Sequence, residues 1–332
     1  MASRAVLITG ATGKQGGAVI DALLKANAPY EILALTRDAQ SPSSLRLLQR
    51  SSRIKLVTGN LDAAESVFKK AKEATKAPVW GVFSVQAVGK SEETQGKALV
   101  NAALRNGVEH FVYSSADRGG SNSDYDPTNV PHFITKHKIE QHIFSKSQNG
   151  NATYTILRPV AFYENLAPDF FGKVFTASWA VKMPKERKLQ LISTQDIGFF
   201  GAQSLMKSDD PMYKNKSMSL ASEALSFKEF EQTFEKATGE KLPMTLASNT
   251  AQSLDSSLPA ILIPSSPSTS THQPSPPLPP LPPIAAWKFA FAYSSTSASK
   301  LPGCSHTAGM PASFASFNNV FVTAGGVITD NE

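Results

Sequence analysis

The sequence predicts an α/β chain built on a doubly wound parallel sheet, and three observations predict it. Strand-like and helix-like patterns alternate from residue 4 to about residue 160, the order that builds parallel strands joined by crossover helices. The strand-like segments are short apolar and β-branched runs, the pattern of strands buried on both faces. A glycine turn joins the first strand to the first helix: Gly10, Gly13 and Gly16 fall between the apolar run 4–9 and the helical spacing of Ala18, Val19, Ala22, Leu23 and Leu24.

The elements follow in order. Residues 4–9 form the first strand and the helix after Gly16 the first crossover. YEILALT (30–36) is a second strand closed by Arg37 and Asp38, and 43–49 a short helix. Residues 54–58 are a third strand. Asp62 is read as the N-cap of a helix running to Lys76, with Glu65 completing a capping box and Pro78 stopping it. VWGVFSV (79–85) is a fourth strand, 91–106 a helix opened by Ser91, and EHFVYSS (109–115) a fifth strand. Asp117 to Val130 reads as a polar loop, and Pro131 starts a helix whose apolar face includes Phe133, Ile134, Ile139 and Ile143. Residues 154–157 are a sixth strand.

Beyond this point the alternation loosens. The organisation read from the sequence is a dinucleotide-binding domain over 1–162, a smaller interleaved substrate-side lobe over 163–247, and a Pro/Ser-rich segment over 248–332. The lobe contains two expected helices, 194–207 and 226–238. PSPPLPPLPP (274–283) admits only polyproline II or irregular backbone. Its composition reads as disordered, or as an aberrant terminus produced by a shifted frame or mis-assigned exon.

Composition narrows the function classes. Of 332 residues, 41% are hydrophobic, enough for a globular core, and a lone Cys304 leaves no disulfide within the chain. That points to a reducing compartment, the cytoplasm or the nucleus. No run approaches the roughly 18 to 20 apolar residues of a membrane span. The net charge of +6 is spread through segments such as KKAKEATK (69–76), which argues against direct nucleic-acid binding and fits a basic pocket for a phosphorylated cofactor.

The candidate chemistry gathers at strand ends, the edge where such folds bind ligands. The turn Gly10, Ala11, Thr12, Gly13, Lys14, Gln15 and Gly16 brings backbone N–H groups to a phosphate. Arg37, at the end of the second strand, suits a 2′-phosphate and selects NADP over NAD, although Asp38 beside it keeps the acidic alternative open. Asn60 and Leu61 are placed at the adenine, and Ser84, Val85 and Gln86 along the ribose and nicotinamide. Ser115, His132 and Lys136 form a carbonyl-reduction set: a hydroxyl to polarise the carbonyl, a proton donor, and a lysine four residues later on the same helical face. The customary donor is tyrosine; here the position holds His132. The histidines 132, 137 and 142 are five apart, each rotated about 140° from the last, so they do not converge on a metal from one helical face.

Several stretches together resemble the NmrA-like family, an atypical branch of the short-chain dehydrogenase fold. They are GATGKQGG (10–17), LTRD (35–38), FVYSSAD (111–117), HFITKHKIEQHI (132–143), LRPVAFYENL (157–166), ISTQDIGFFGAQSL (192–205) and LASEALSFKEFEQTFEKATGEKLP (220–243). The resemblance covers about residues 1–247 and implies a Rossmann domain with NADP held against a smaller lobe. It further implies that Phe162, Tyr163, Glu164 and Asn165 close over the nicotinamide. Two kinds of function are implied: an NADP-dependent oxidoreductase acting on a small organic molecule, often in fungal small-molecule pathways, or a non-catalytic redox sensor that acts on transcription through protein partners. The missing tyrosine and the segment 248–332, which departs from the family's charged and aromatic continuation, are this chain's two differences from the pattern.

Overall fold

A computed structural model describes residues 4–148, 150, 152–167 and 169–242, together with the backbone of 321–324. The readings of 248–320 and 325–332 lie outside the described residues.

The first unit comprises residues 1–160, 194–221 and 321–332. Its elements in chain order are β1 (Arg4–Ile8), α1 (Lys14–Lys25), β2 (Tyr30–Thr36), α2 (Pro42–Arg50), β3 (Ile54–Thr58), α3 (Ala64–Ala74), β4 (Val79–Ser84), α4 (Glu92–Arg105), β5 (His110–Ser114), α5 (Pro131–Ser147) and β6 (Thr153–Pro159). The chain then makes β7 (Ala161–Phe162), α6 (Phe170–Lys182) and β8 (Leu189–Ile192) of the second unit. It returns to the first as α7 (Thr194–Met206) and β9 (Lys216–Ala221), and ends with β10 (Glu223–Leu225) and α8 (Phe227–Thr238) in the second. A final strand, β11 (Phe321–Ala324), belongs to the first.

The large sheet has the order β11-β9-β6-β5-β4-β1-β2-β3. Every pairing is parallel except β9 with β11. This is the doubly wound arrangement expected from the alternation, and its strand order reverses between β1 and β4, where ligands of open α/β sheets bind. The central strands are buried on both faces: Val6, Leu7, Ile8, Leu33, Val82, Phe83 and Val112 are all fully enclosed.

One segment departs from the expected organisation. Residues 194–221 do not stay with the 163–247 stretch but complete the first unit. Glycines make this possible: a Cβ at Gly198 would lie 2.4 Å from the backbone of Ala18, and one at Gly201 2.8 Å from Val19 and 3.0 Å from Phe83. α7 therefore packs its backbone directly against α1.

A second departure is the start of α3. Asn60, not Asp62, is the capping residue: its side chain accepts from the Asp62 amide at 3.2 Å and opens a short 3-10 turn over Leu61–Ala63. α3 then begins at Ala64 without a side-chain cap, and Glu65 pairs with Arg105. The Asp117–Val130 loop is also more ordered than its polarity suggested, with a 3-10 turn at Gly120–Asp124.

The second unit is a three-stranded sheet, β10-β8-β7, with an aromatic core of Tyr163, Phe175, Trp179, Phe230 and Phe234. Trp179 stacks on Phe230 with ring centroids 5.0 Å apart. α8 carries the full capping box of Ser226 with Glu229 and ends at Gly239 with φ +71°.

Candidate functional site

The glycine turn is shaped by contacts that exclude side chains. Gly10 has φ +58°, and a Cβ there would meet Val85 at 2.7 Å. At Gly16 a Cβ would stand 2.4 Å from the Gly10 carbonyl oxygen. α1 starts at Lys14 with Gly13 as its N-cap and no side-chain cap. An uncapped first turn at a glycine bend is the geometry that receives an anion. Ala11 is buried, whereas Gly10, Thr12, Gly13 and Lys14 are exposed. Thr9 ties this turn to the end of β4, its hydroxyl donating to the Val85 carbonyl at 2.9 Å and accepting from the Val85 amide at 2.7 Å.

Arg37 is exposed at the end of β2. Asp38 is turned back on its own loop, where its carboxylate accepts from the Gln40 amide at 2.8 Å. Asn60 is committed to capping, while Leu61 packs against the core of the sheet. Ser84 is fully buried and accepts from Gln86 Nε2 at 2.8 Å. Gln86 is 5% exposed, and its Oε1 has no hydrogen-bond partner among the described residues.

The serine pair at the end of β5 is split. Ser114 Oγ donates to Gln15 Oε1 at 2.5 Å, linking β5 to the glycine helix. Ser115 points the other way and donates to the Glu140 carboxylate. Its hydroxyl thus belongs to a buried ion cluster. In that cluster Glu140 Oε2 meets Arg118 Nη2 and Arg158 Nη2, each at 2.7 Å. Arg158 also reaches Asp124 Oδ1 at 2.7 Å, and Arg118 donates to the Ser123 carbonyl at 2.5 Å. The cluster pins the β5–α5 loop onto α5.

Lys136 lies on α5 with its side chain 9% exposed. Its Nζ is 3.1 Å from Glu92 Oε1, donates to the Ser114 carbonyl at 3.4 Å, and sits 5.6 Å from the centre of the Tyr113 ring. Glu92 was not singled out by the sequence reading, which took Ser91 as the cap of this helix; Ser91 makes no side-chain capping hydrogen bond. The available signal was an acid in the first turn of a helix that follows the β4 loop.

His132 stands one turn before Lys136 and packs on Phe133, with ring centroids 4.3 Å apart. Burial lowers its pKa first and the neighbouring Lys136 charge lowers it further, while Glu92 raises it in part. Starting from an ordinary value near 6.5, this leaves the ring neutral at pH 7. Nδ1 is buried and without a hydrogen-bond partner among the described residues. His137 lies beside Arg118 at 3.5 Å, and His142 Nε2 is 2.8 Å from Asn101, so the three histidines have separate surroundings.

Phe162 to Asn165 lie in the second unit. Phe162 ends β7, Tyr163 to Leu166 form a 3-10 turn, Tyr163 is 1% exposed within that unit's core, and Asn165 is exposed.

No helix among the described residues is long and apolar enough to cross a membrane. Comparison with solved structures gives the same architecture. A triphenylmethane reductase from Citrobacter sp. aligns with a TM-score of 0.56 at 20% identity, over 73% of this chain and 78% of that one. NmrA, a negative transcriptional regulator solved in complex with NADP, aligns with a TM-score of 0.54 at 20% identity, over 72% and 73%. Among curated proteins, the NmrA-like family domain-containing oxidoreductase hkm9 of Aspergillus hancockii is 28% identical over 72% of this chain and 74% of its own. The oxidoreductase FrzB of Cladobotryum sp. is 29% identical over 51% of this chain and 50% of its own. The chain thus spans about three-quarters of one relative and half of the other. The NmrA-like family model matches residues 2–259, and with the glycine turn, the sheet order and Lys136 in place, the chain belongs to the NmrA-like family.

Proposed function

We propose that the protein is an NADP(H)-dependent oxidoreductase that reduces a carbonyl or an activated double bond of a small organic molecule. The observation that carries the proposal is the pairing of a turn too tight for a Cβ at Gly10 or Gly16 with a buried, oriented lysine in one unit, bridged by Gln15 and Ser114. The residues fit the cofactor. A Cβ at Gly10 or Gly16 would fill the turn, Arg37 is exposed where a 2′-phosphate is met, and Asp38 is occupied by its own loop.

In this reading Ala11 to Gly16 hold the pyrophosphate and Arg37 the 2′-phosphate. Asn60, Leu61 and Ser84 to Gln86 border the adenosine and nicotinamide ends. When bound, the cofactor supplies the hydride. Lys136 donates hydrogen bonds to a ribose and presents positive charge where an alkoxide develops. His132, neutral at pH 7, holds or passes a proton through its ring nitrogens and does not act as a standing imidazolium. Ser115 supports Glu140 and Arg118 and carries no carbonyl. The named oxidoreductase relatives support the reaction class. The NADP-bound structures of NmrA and triphenylmethane reductase support the cofactor.

The test is a titration of the purified chain with NADPH and NADH, followed by nicotinamide fluorescence. NADPH is expected to bind and NADH to bind weakly. Arg37→Ala should weaken NADPH by about 10- to 100-fold, the loss of a charge-assisted hydrogen bond, and leave NADH unchanged. Lys136→Ala should slow NADPH-dependent reduction of an ortho-quinone probe by about 100- to 1,000-fold while retaining cofactor binding. Failure to bind either nucleotide overturns the proposal.

A further inference from the structure

Lys136 is not the only buried ionic group at the end of β5. Glu92 enters from the first turn of α4 and is 1% exposed. Burying a carboxylate is costly unless it is paired and hydrogen-bonded. Glu92 has two such contacts. Its Oε2 accepts from Thr135 Oγ1 at 2.7 Å, which fixes the carboxylate to the residue next to Lys136. Its Oε1 faces Lys136 Nζ at 3.1 Å and has no hydrogen bond of its own. The helix N-terminus adds a favourable field for the acid.

From the lysine's side the arrangement is a set of restraints on a flexible four-carbon chain. Glu92, the Ser114 carbonyl and the face of Tyr113 surround the ammonium. An ammonium has three donors. Ser114 takes one by hydrogen bond and Glu92 holds the ammonium by charge at 3.1 Å, so donor capacity remains for a ligand. Lys97 and Lys138 are different: both pair with Glu93, but with side chains 35% and 53% exposed, so solvent competes for their geometry. Glu92 is also delivered by the helix that follows Ser84 to Gln86, so one connection both borders the proposed cofactor site and supplies the acid.

We infer that Glu92 is a positioning residue for Lys136, fixing the ammonium at the end of β5 so that a remaining donor meets the cofactor ribose. The inference rests on the NADP(H) reading above. It makes Glu92 act through Lys136 and through no contact of its own with substrate.

A double-mutant cycle in the full chain tests this. Glu92→Gln keeps the shape and the acceptor for Thr135 but removes the charge, Lys136→Met removes the ammonium, and Glu92→Asp restores the charge at shorter reach. Two quantities are read: the NADPH Kd from nicotinamide fluorescence, and the rate of NADPH-dependent phenanthrenequinone reduction per NADPH site. Glu92→Gln is expected to slow reduction by about 10- to 100-fold, the cost of a misplaced reacting group. Glu92→Asp should recover part of this. The double variant should match Lys136→Met within about twofold, because residues acting through one contact are not additive. A wild type that binds NADPH without reducing the quinone is judged on Kd by the same cycle.

Additive losses, or Glu92→Gln behaving as wild type in a chain that binds NADPH, overturn this inference and leave the proposed function standing. A wild type that binds no NADPH overturns both. A purely structural Glu92 would lower stability without changing either quantity per NADPH site.

Discussion

Two buried carboxylates face the end of β5, and they are built differently. Glu140 is enclosed by Arg118 and Arg158, and both of its oxygens accept from each guanidinium. Glu92 meets one hydroxyl and one ammonium. A carboxylate saturated by two planar, multiply donating cations has no freedom left and holds a loop in place. A carboxylate facing a single lysine leaves that lysine a donor to spend elsewhere. Burial alone therefore does not mark function at this site. What separates the two acids is how many donors remain on the partner once the acid is satisfied.

The comparison can be broken at its strong end first. Glu140→Leu leaves two buried guanidiniums without their acid, and should lower the unfolding free energy by about 3 to 5 kcal/mol, read from urea unfolding at pH 7. A loss no larger than that of Glu92→Leu would erase the distinction.

Acid probes the same cluster without mutation. Burial pushes the Glu140 carboxyl up, but Arg118 and then Arg158 outweigh it and hold it below the usual carboxylate range. A lowered folded pKa means that this stabilisation is complete above the unfolded value and is lost as pH falls through the folded one. His110, at the start of β5, adds an earlier loss: burial lowers it to about 4 from 6.5. The unfolded chain thus binds the extra proton between those values, and about 3 kcal/mol should disappear as pH falls across that window. In urea midpoints measured from pH 7 to 3, Glu140→Gln should flatten only the acid end below the His110 window. If it flattens the whole curve, the assignment of the two limbs is wrong.

Glu92→Leu should cost less, about 1 to 2 kcal/mol, because a lysine stem lets the ammonium swing toward solvent when its partner is lost. The smallest effect concerns His132. Its ring is neutral at pH 7, so quinone reduction should show no histidine limb between pH 6.5 and 8. A bell centred in that range would restore an imidazolium acid to the mechanism.

The contrast between the two acids also explains what could be read in advance. Tyr30–Thr36 and Ile54–Thr58 were legible to the residue, since each is a short, mostly apolar run bounded by polar residues, and the one charge in each, Glu31 and Lys55, is paired with the other. The glycine turn was legible because its spacing encodes backbone contacts only three to six residues apart. Arg118, Glu140 and Arg158 were not legible as a unit: charged residues in a polar loop, on a helix and on a strand look individually solvated, and only the tertiary fold pairs them. Glu92 was hidden by the same cause, since an acid in a first helical turn is explained locally by the helix field. The Asp62 cap failed by two residues because Asn60 offers the same side-chain chemistry one 3-10 turn earlier.

The close seating of α7 on α1 has a consequence for biosynthesis. Gly198 and Gly201 let residues near position 200 form a wall behind the glycine helix of residues 14–25. The ribosome adds roughly 5 to 20 residues per second. The glycine helix therefore emerges many seconds before the segment that covers it, and its apolar back is exposed during that interval. Nascent chains arrested before residue 194 should engage holdase chaperones, and those released after residue 242, which also carry Phe230 and Phe234 to cover Trp179, should engage them less.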